Sequence, residues 1–415
     1  RWAVIGLQPD NCPPLQKVLG GTGVRTVHTS SVPKTDRPQL PAGFAALWGA
    51  VALDLIGFGI VLPILPVYAE RFNAGPATAT MIVAAFSAAQ FVAAPLWGRA
   101  SDRWGRRPVL IAALIGSTLG SLLTGFADVL WLLFAARILD GASGTSYAVA
   151  QAAVSDIADP KSRPRLLGLL GAAFGLGFVV GPIIGSVAAL GSDRLPFFIA
   201  AGLSGATALL AYRSVPETNP DHGSRVQPSF SQQLRDSKAS GVLALVLVSL
   251  VTMSAFSALE GTLGLMLERR FDLVNSSIYG TFALVGIGIV VMQTRVVGPT
   301  VDRLGERSAV VSGLVLEVVG MVLLAGGFGW FGVTAGLTLL VVGQGLISPT
   351  LPSMLVGRAE EARGSALGLQ QSAGALGRII GPVGGGLLFE HAGIGWPYGV
   401  AAGVLAIAAL LATKA

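Results

Sequence analysis

Charged residues are scarce in this chain. They make up 12% of its 415 residues, whereas hydrophobic residues make up 52%, and an average soluble protein carries about 25% charged residues. Mean hydropathy is +0.69. A soluble domain needs a charged, polar surface to stay in solution. The composition therefore excludes a soluble globule and indicates a protein whose outer surface faces lipid.

Cysteine and histidine are nearly absent as well. Cys12 is the single cysteine, and His28, His222 and His391 lie far apart. Zinc ligands come in close His and Cys spacings, so we expect no metal site and no disulfide framework. No Walker-type phosphate loop occurs, which excludes direct ATP-driven pumping by this chain. No Ser/His/Asp or Cys/His arrangement suggests an enzyme, and we expect no cofactor.

What the chain does contain is an internal repeat. The pattern Gly-x-x-x-Asp-Arg-x-Gly-x-Arg begins at Gly98 and begins again at Gly298. The pattern Gly-Pro-x-x-Gly begins at Gly181 and recurs at Gly381, with the same displacement of two hundred positions. A repeat this long does not suit a solenoid. It indicates a membrane domain built from two similar halves.

Long apolar segments fill both halves. A helix needs about 20 apolar residues to cross the hydrocarbon layer, and twelve segments of suitable length occur, six in each half. They lie near 43–68, 77–97, 108–127, 129–154, 165–190, 195–213, 241–267, 276–297, 308–328, 331–356, 364–389 and 396–413. We therefore predict a disordered tail at 1–40, a six-helix half at 41–214, a linker at 215–238 and a second six-helix half at 239–415.

The basic residues predict the topology. The loops after the second, fourth, sixth, eighth and tenth segments carry most of the Lys and Arg, whereas the other loops carry only Arg71, Arg194, Arg269 and Arg270. Basic loops stay in the cytoplasm. This asymmetry accounts for the net charge of +6 without a nucleic-acid partner. It predicts that both termini are cytoplasmic.

These motifs resemble those of the major facilitator superfamily, and within it the twelve-helix drug/proton antiporters that include tetracycline-efflux-like proteins and multidrug exporters. The loop at Gly98–Arg107 resembles the signature between helices 2 and 3, and its copy lies between helices 8 and 9. Leu133–Gly141 resembles a second motif. The resemblance implies an all-α membrane protein of twelve helices in two pseudo-symmetric halves. It also implies a gating role for the loop residues Gly98, Asp102, Arg103, Gly105, Arg106, Arg107, Gly298, Asp302, Arg303, Gly305 and Arg307.

The fifth segment carries a further motif of this superfamily. Gly177, Gly181, Pro182 and Gly185 resemble a pattern that goes with antiport more than with uptake. From the residues alone, glycines at this spacing let helix backbones approach closely in lipid. Packing and antiport are therefore both open at these positions.

Three charged residues inside the spans are candidates for proton coupling. Asp54 lies near the middle of helix 1, where an ionised carboxylate costs about 2.5 to 3.5 kcal/mol on insertion scales. Arg137 and Asp140 lie on one face of helix 4. For Asp54 the two possibilities are proton exchange and simple neutralisation by packing, and we favour proton exchange. For Arg137 the resemblance implies a fixed positive charge that tunes the pKa of nearby carboxylates and helps to pass protons, and an Arg137–Asp140 pair that only neutralises itself is the alternative. Two hundred positions on stand Ser254, Leu337 and Leu340, so we expect coupling mainly in the first half.

Other polar and aromatic side chains inside the spans are candidates for a central cavity. Glu260 and Arg378 are costly in lipid and should face the interior, where each either pairs with another charge or meets substrate. The remaining candidates, each of which could instead bond between helices, are Gln90, Tyr147, Gln151, Phe174, Phe178, Gln344 and Gln370. Glu317 in helix 9 has no assigned role.

The loop motif has a physical interpretation of its own. Gly98 and Gly105 allow close backbone approach, and the arginines can form charge-assisted bonds. Asp156 at the end of helix 4 is a candidate partner for Arg103 or Arg106. We expect this cluster to close one side of the bundle and to break when the halves rock. An anchoring loop that only sets topology is the alternative.

The sequence therefore predicts a proton-driven exporter of a small lipophilic or cationic compound, in a plasma (inner) membrane, acting as a monomer. Its partners are that compound, protons and the bilayer, and the proton gradient supplies the energy. A proton symporter or a uniporter for a sugar or other metabolite is the first alternative. A transport-inactive sensor or assembly protein with the same fold is the second.

Overall fold

The computed structural model describes residues 40–41, 43–159, 162–218, 242–358 and 363–414. Residues 1–39 of the predicted tail at 1–40 and most of the predicted linker at 215–238 lie outside these ranges. Residues Pro41–Ala415 form one compact unit, and the domain boundaries stay a prediction.

The described part of the first half consists of eight helices, because two of its spans are interrupted. They are α1 (Phe44–Val61), α2 (Leu65–Glu70), α3 (Pro76–Trp104), α4 (Arg106–Phe126), α5 (Leu130–Ser143), α6 (Ser146–Ile157), α7 (Arg163–Ala189) and α8 (Leu195–Ser214). Pro63 falls in the turn between α1 and α2, and Gly144 falls between α5 and α6. Proline and glycine are the residues that interrupt helices.

The described part of the second half follows the same order. Its helices are α9 (Leu243–Phe271), α10 (Asn275–Val291), α11 (Val297–Leu304), α12 (Glu306–Ala325), α13 (Gly329–Arg358), α14 (Arg363–His391) and α15 (Trp396–Lys414). A short π-helical turn, Met292–Val296, joins α10 to α11 within one span. Such turns bend a helix without ending it.

Eleven helical segments of the described residues are long and apolar enough to cross a membrane. The fourth predicted span is absent from that set because it is broken into α5 and α6, each too short alone. With this broken span, the described residues contain the twelve spans that the sequence predicts. The protein is an integral multi-pass membrane protein.

The repeat is visible in helix packing. Gly177 and Gly181 of α7 lie so close to α1 that an added Cβ would meet the α1 backbone. At the equivalent positions of the second half, Gly377 and Gly381 of α14 approach the backbone of α9 in the same way. Small residues at this spacing let helices touch backbone to backbone. These glycines thus have the packing role that sequence analysis left open beside a role in antiport.

The two halves meet along α3 with α14 and along α7 with α10. We call the end of the bundle that carries Arg106 and Arg358 the basic end, and the other the opposite end. At the opposite end the halves touch closely, since a Cβ on Gly386 would collide with Thr80 and one on Gly185 would collide with Tyr279.

Candidate functional site

A cavity of about 670 Å³ lies between the halves. Its walls come from α1, α3, α4, α5, α6 and α8 of the first half and from α14 of the second, and the charged side chains on it are Asp54, Arg137, Asp140 and Arg378. On its basic-end side, the lining residues Val92 of α3 and Gln371 of α14 are exposed. The cavity is therefore reached from the basic end, while the opposite end is closed.

Asp54, which the sequence places near the middle of helix 1, lies on the cavity wall in α1. The hydroxyl of Ser146 donates a hydrogen bond to its Oδ2. Ser146 is the first residue of α6, so the break in the fourth span is what brings this hydroxyl to the carboxylate. The Ser204 hydroxyl of α8 also interacts with this carboxylate. A carboxylate that faces a cavity and has hydroxyl partners can exchange a proton with water or substrate.

Arg137 and Asp140 form an ion pair within α5. Both are buried, with 2% and 8% exposure. Asp140 Oδ1 also accepts a 2.8 Å hydrogen bond from the Ser117 hydroxyl of α4, and the Arg137 guanidinium lies 5.4 Å from the ring centroid of Phe86. The pair therefore joins α3, α4 and α5 and presents both charges to the cavity.

The second half contributes two charges to the same region. Arg378 of α14 lines the main cavity and also a narrow extension of about 30 Å³. Glu260 of α9 lines that extension, together with Arg137 and Phe86 of the first half. Glu260 and Arg378 interact electrostatically, so both face the interior as expected.

Four of the predicted polar and aromatic cavity residues line a cavity, and two do not. Gln90, Tyr147 and Gln151 line the main cavity, and Phe178 lines a small apolar pocket beyond Glu260. Gln344 and Gln370 are not among the residues that line the cavities named above, and their role in the cavity stays a prediction.

On α14 the lining glutamine is Gln371, one position later along the helix. A shift of one residue turns a side chain by about 100° around a helix, which the sequence pattern does not resolve. The side chain of Phe174 lies outside the described part of the structure.

At the basic end, Arg106 is the centre of the loop motif. It is buried, with 6% exposure, and it pairs with Asp102 at 2.7 Å and with Asp156 at 2.9 Å. Asp156 is thus the partner of Arg106. These contacts stay within the first half and persist although the cavity is open at this end. The expectation that this cluster breaks when the halves rock stays a prediction.

Glu217 is a partner that sequence analysis missed. Its carboxylate accepts hydrogen bonds from the backbone amides of Arg106 at 2.8 Å and Arg107 at 3.1 Å. It thereby caps α4, which starts after Gly105 at a φ of 98°. Acidic groups are favourable at helix N-termini. Glu217 falls in the predicted linker, where no local pattern marks it.

The second copy of the loop motif is less connected. Gly305 has a φ of 78°, so it makes the same turn as Gly105. Asp302, Arg303 and Arg307 are exposed, as is Gly298. Arg103, the remaining arginine of the first copy, is exposed too. The charge network of the motif is therefore built around the first copy.

Comparison with known proteins agrees with this architecture. The sequence profile of the Major Facilitator Superfamily matches residues 47–297 and 282–414. The chain belongs to this superfamily. It is 32% identical to the class C tetracycline resistance protein of Escherichia coli, over 81% of this chain and 86% of that protein. It is 26% identical to multidrug resistance protein 2 of Bacillus subtilis, over 84% and 88% of the two chains.

Solved structures confirm the major facilitator fold. The human organic anion transporter MFSD10 covers 89% of this chain and 98% of its own, with a TM-score of 0.68 and 24% identity. The nucleoside transporter NupG covers 89% of this chain and 99% of its own, with a TM-score of 0.73 and 13% identity. These likenesses show the fold alone.

The relatives confirm the sequence-based prediction of drug/proton antiport in this superfamily, and they do not favour the symporter, uniporter or sensor alternatives. The protein is a superfamily transporter with a small-molecule substrate. Its family consists of transporters. The cavity described above has the size of a ligand pocket, since pockets of about 300–1,000 Å³ hold drug-sized ligands.

Proposed function

We propose that this protein exports a small amphipathic compound from the cytoplasm and admits protons in return, using the proton gradient and no cofactor. The observation that carries the proposal is the position of Asp54. Its carboxylate faces a cavity that also holds the Arg137–Asp140 pair. A buried ionisable group on the wall of a membrane cavity is costly and suits a site that gains and loses a proton.

The ends of the bundle support an alternating-access mechanism. By the basic loops, the basic end is cytoplasmic, as are both termini, so the described conformation is open to the cytoplasm. Substrate enters the cavity from that side. The inner membrane of a bacterium fits this orientation, and a monomer suffices because the cavity lies within one chain.

Closure of the opposite end depends on contacts between the halves. The Ser186 hydroxyl donates a 3.0 Å hydrogen bond to the Ser276 carbonyl, and the Asn275 amide donates a 2.6 Å hydrogen bond to Asp193 Oδ1. Asp193 also pairs with Arg71. The two hydrogen bonds between the halves must break for the compound to leave on the far side, whereas the Arg71–Asp193 pair lies within the first half.

The proton step follows from the same residues. Proton binding to Asp54 removes its charge, and the Ser146 hydroxyl remains as its hydrogen-bond partner in either state. The Arg137–Asp140 pair supplies a fixed charge beside the cavity that responds to a charged substrate. Competition between substrate and proton for this region couples the two movements.

A compound screen tests the proposal. Tetracycline is the first compound to try, because several relatives are named tetracycline resistance proteins. Cells that produce the protein should survive higher concentrations of an exported compound than cells that produce the Asp54→Asn variant at equal membrane level. Equal survival of the two strains for every compound that the wild type exports would contradict the role of Asp54.

A further inference from the structure

We infer that Arg378 is an anion-binding residue of the cavity and that the exported compound carries an acidic group on an aromatic body. The inference rests on the proposed function, since it names the substrate class of the same cavity. It narrows the expected lipophilic or cationic compound to one that also offers a carboxylate or a similar anionic oxygen.

The other charges on the cavity wall already have partners. Ser146 donates a hydrogen bond to Asp54, and Arg137 pairs with Asp140. Arg378 differs from them: within the described parts of the chain, its guanidinium makes no hydrogen bond and no ion pair at contact distance. It is partly buried and lines both the main cavity and the extension. Its N–H donors are therefore available to a bound molecule.

Glu260 attracts Arg378 without completing a salt bridge. The two interact electrostatically, yet Oε1 of Glu260 is buried and has no hydrogen-bond partner among the described residues. Because the two side chains are not hydrogen-bonded, Glu260 balances the charge of the Arg378 guanidinium only from a distance. The N–H donors of Arg378 stay without a hydrogen bond to it. A substrate anion can bond Arg378 directly while Glu260 stays behind it in the extension.

An arginine with unused donors inside a membrane span is expensive, and such residues mark substrate pathways. The guanidinium is a planar fork that matches a carboxylate with two parallel hydrogen bonds. The chemistry of the free donors thus favours an oxyanion over a neutral polar group.

The neighbours of Arg378 indicate the rest of the molecule. Phe58 and Phe86 line the same stretch of the cavity and its extension. Their ring centroids are 5.4 Å apart, and Phe58 also contacts Phe178 edge-on at 6.4 Å. A flat aromatic body packs well on such faces. The acidic group would then reach Arg378 while a basic group, if present, lies nearer Asp54.

A matched pair of dyes tests this assignment. One is a rhodamine with a free carboxylate, and the other is its methyl ester, which keeps the aromatic body and the cationic charge. Binding of each to the purified full-length transporter is measured by fluorescence anisotropy. The wild type should bind the acid about tenfold more tightly than the ester, a difference of about 1.4 kcal/mol.

Three variants test whether the preference for the acid depends on Arg378. Arg378→Gln should lose the preference for the acid, because the carboxylate no longer has a guanidinium to bind. Arg378→Lys keeps the charge without the planar fork and should keep part of the preference, which also shows that the site tolerates substitution. Arg358→Gln removes the same charge from an exposed position at the basic end and should keep the full preference.

The inference is overturned if the wild type binds acid and ester equally, if it binds neither, or if Arg378→Gln weakens both alike. Failure of the proposed function has a different signature. In that case neither dye moves against its gradient in proton-energised vesicles, whatever the binding preference.

Discussion

The backbone amide of Ala77 donates a 2.8 Å hydrogen bond to Oε2 of Glu390. This bond joins the first turn of α3 in one half to the last turn of α14 in the other. A carboxylate at a helix N-terminus is favourable because unpaired amides and the helix dipole both attract it. We therefore expect Glu390 to favour closure of the opposite end of the bundle.

Removing that carboxylate charge should favour the conformation open at the opposite end. Glu390→Gln keeps an acceptor oxygen but loses the charge that strengthens this partly exposed bond, which we take as about 1 kcal/mol, or about fivefold in the equilibrium. The reporter protein carries Cys12→Ser, which removes the native cysteine, and Ser257→Cys, which introduces one between the halves. An impermeant maleimide added at the opposite end should label this reporter cysteine about fivefold faster when Glu390→Gln is also present. Glu306→Gln, at the basic end, is the control and should leave the rate unchanged.

Two glycines of α14 allow a steric test of the same closure. A side chain at Gly386 would collide with Thr80, whereas a side chain at Gly384 meets nothing within 4 Å. Gly386→Val should therefore hold the halves apart and reduce transport at least tenfold at equal membrane level. Gly384→Val, which has the same helix propensity cost, should transport close to the wild-type rate. Similar transport by the two variants would contradict the closure by α3 and α14.

The buried Arg106 should contribute to stability more than to transport chemistry. Arg106→Ala leaves Asp102 and Asp156 without this partner, and breaking a buried pair costs about 3–5 kcal/mol. We expect a clear drop in the thermal midpoint of the detergent-solubilised protein. Arg99→Ala removes an exposed arginine of the same loop and should leave the midpoint nearly unchanged. Equal midpoints for the two variants would show that the cluster is not a stabilising contact.

Much of the fold could be predicted because the repeat and the apolar segments are local signals. The structure contains the predicted spans, and Asp54, Arg137 and Asp140 face a cavity because charges avoid lipid. What could not be predicted are partners distant in sequence. Ser146 reaches Asp54 through the break after Gly144, Glu217 caps α4 from the end of α8, and Glu390 meets Ala77 across the halves.

The second half shows why the repeat is a poor guide to charges. Glu317 of α12 is buried against Gly343 of α13, and it stands two hundred positions after Ser117. In the first half the carboxylate is on α5, at Asp140, and the hydroxyl is on α4. In the second half Leu340 replaces Asp140 and the carboxylate is on the other helix. Packing was kept between the copies, while the placement of charge was not.

Proton movement in reconstituted vesicles tests the central claim most directly. An exported compound, chosen from the screen, is added to vesicles with a pH-sensitive dye inside, and the internal pH is followed. The wild type should move protons in the direction opposite to the compound, and Asp54→Asn should bind the compound without moving protons. Asp128→Asn, an exposed carboxylate outside the cavity, is the control and should behave as the wild type. Proton movement by Asp54→Asn at the wild-type rate, or movement in the same direction as the compound, would contradict the account.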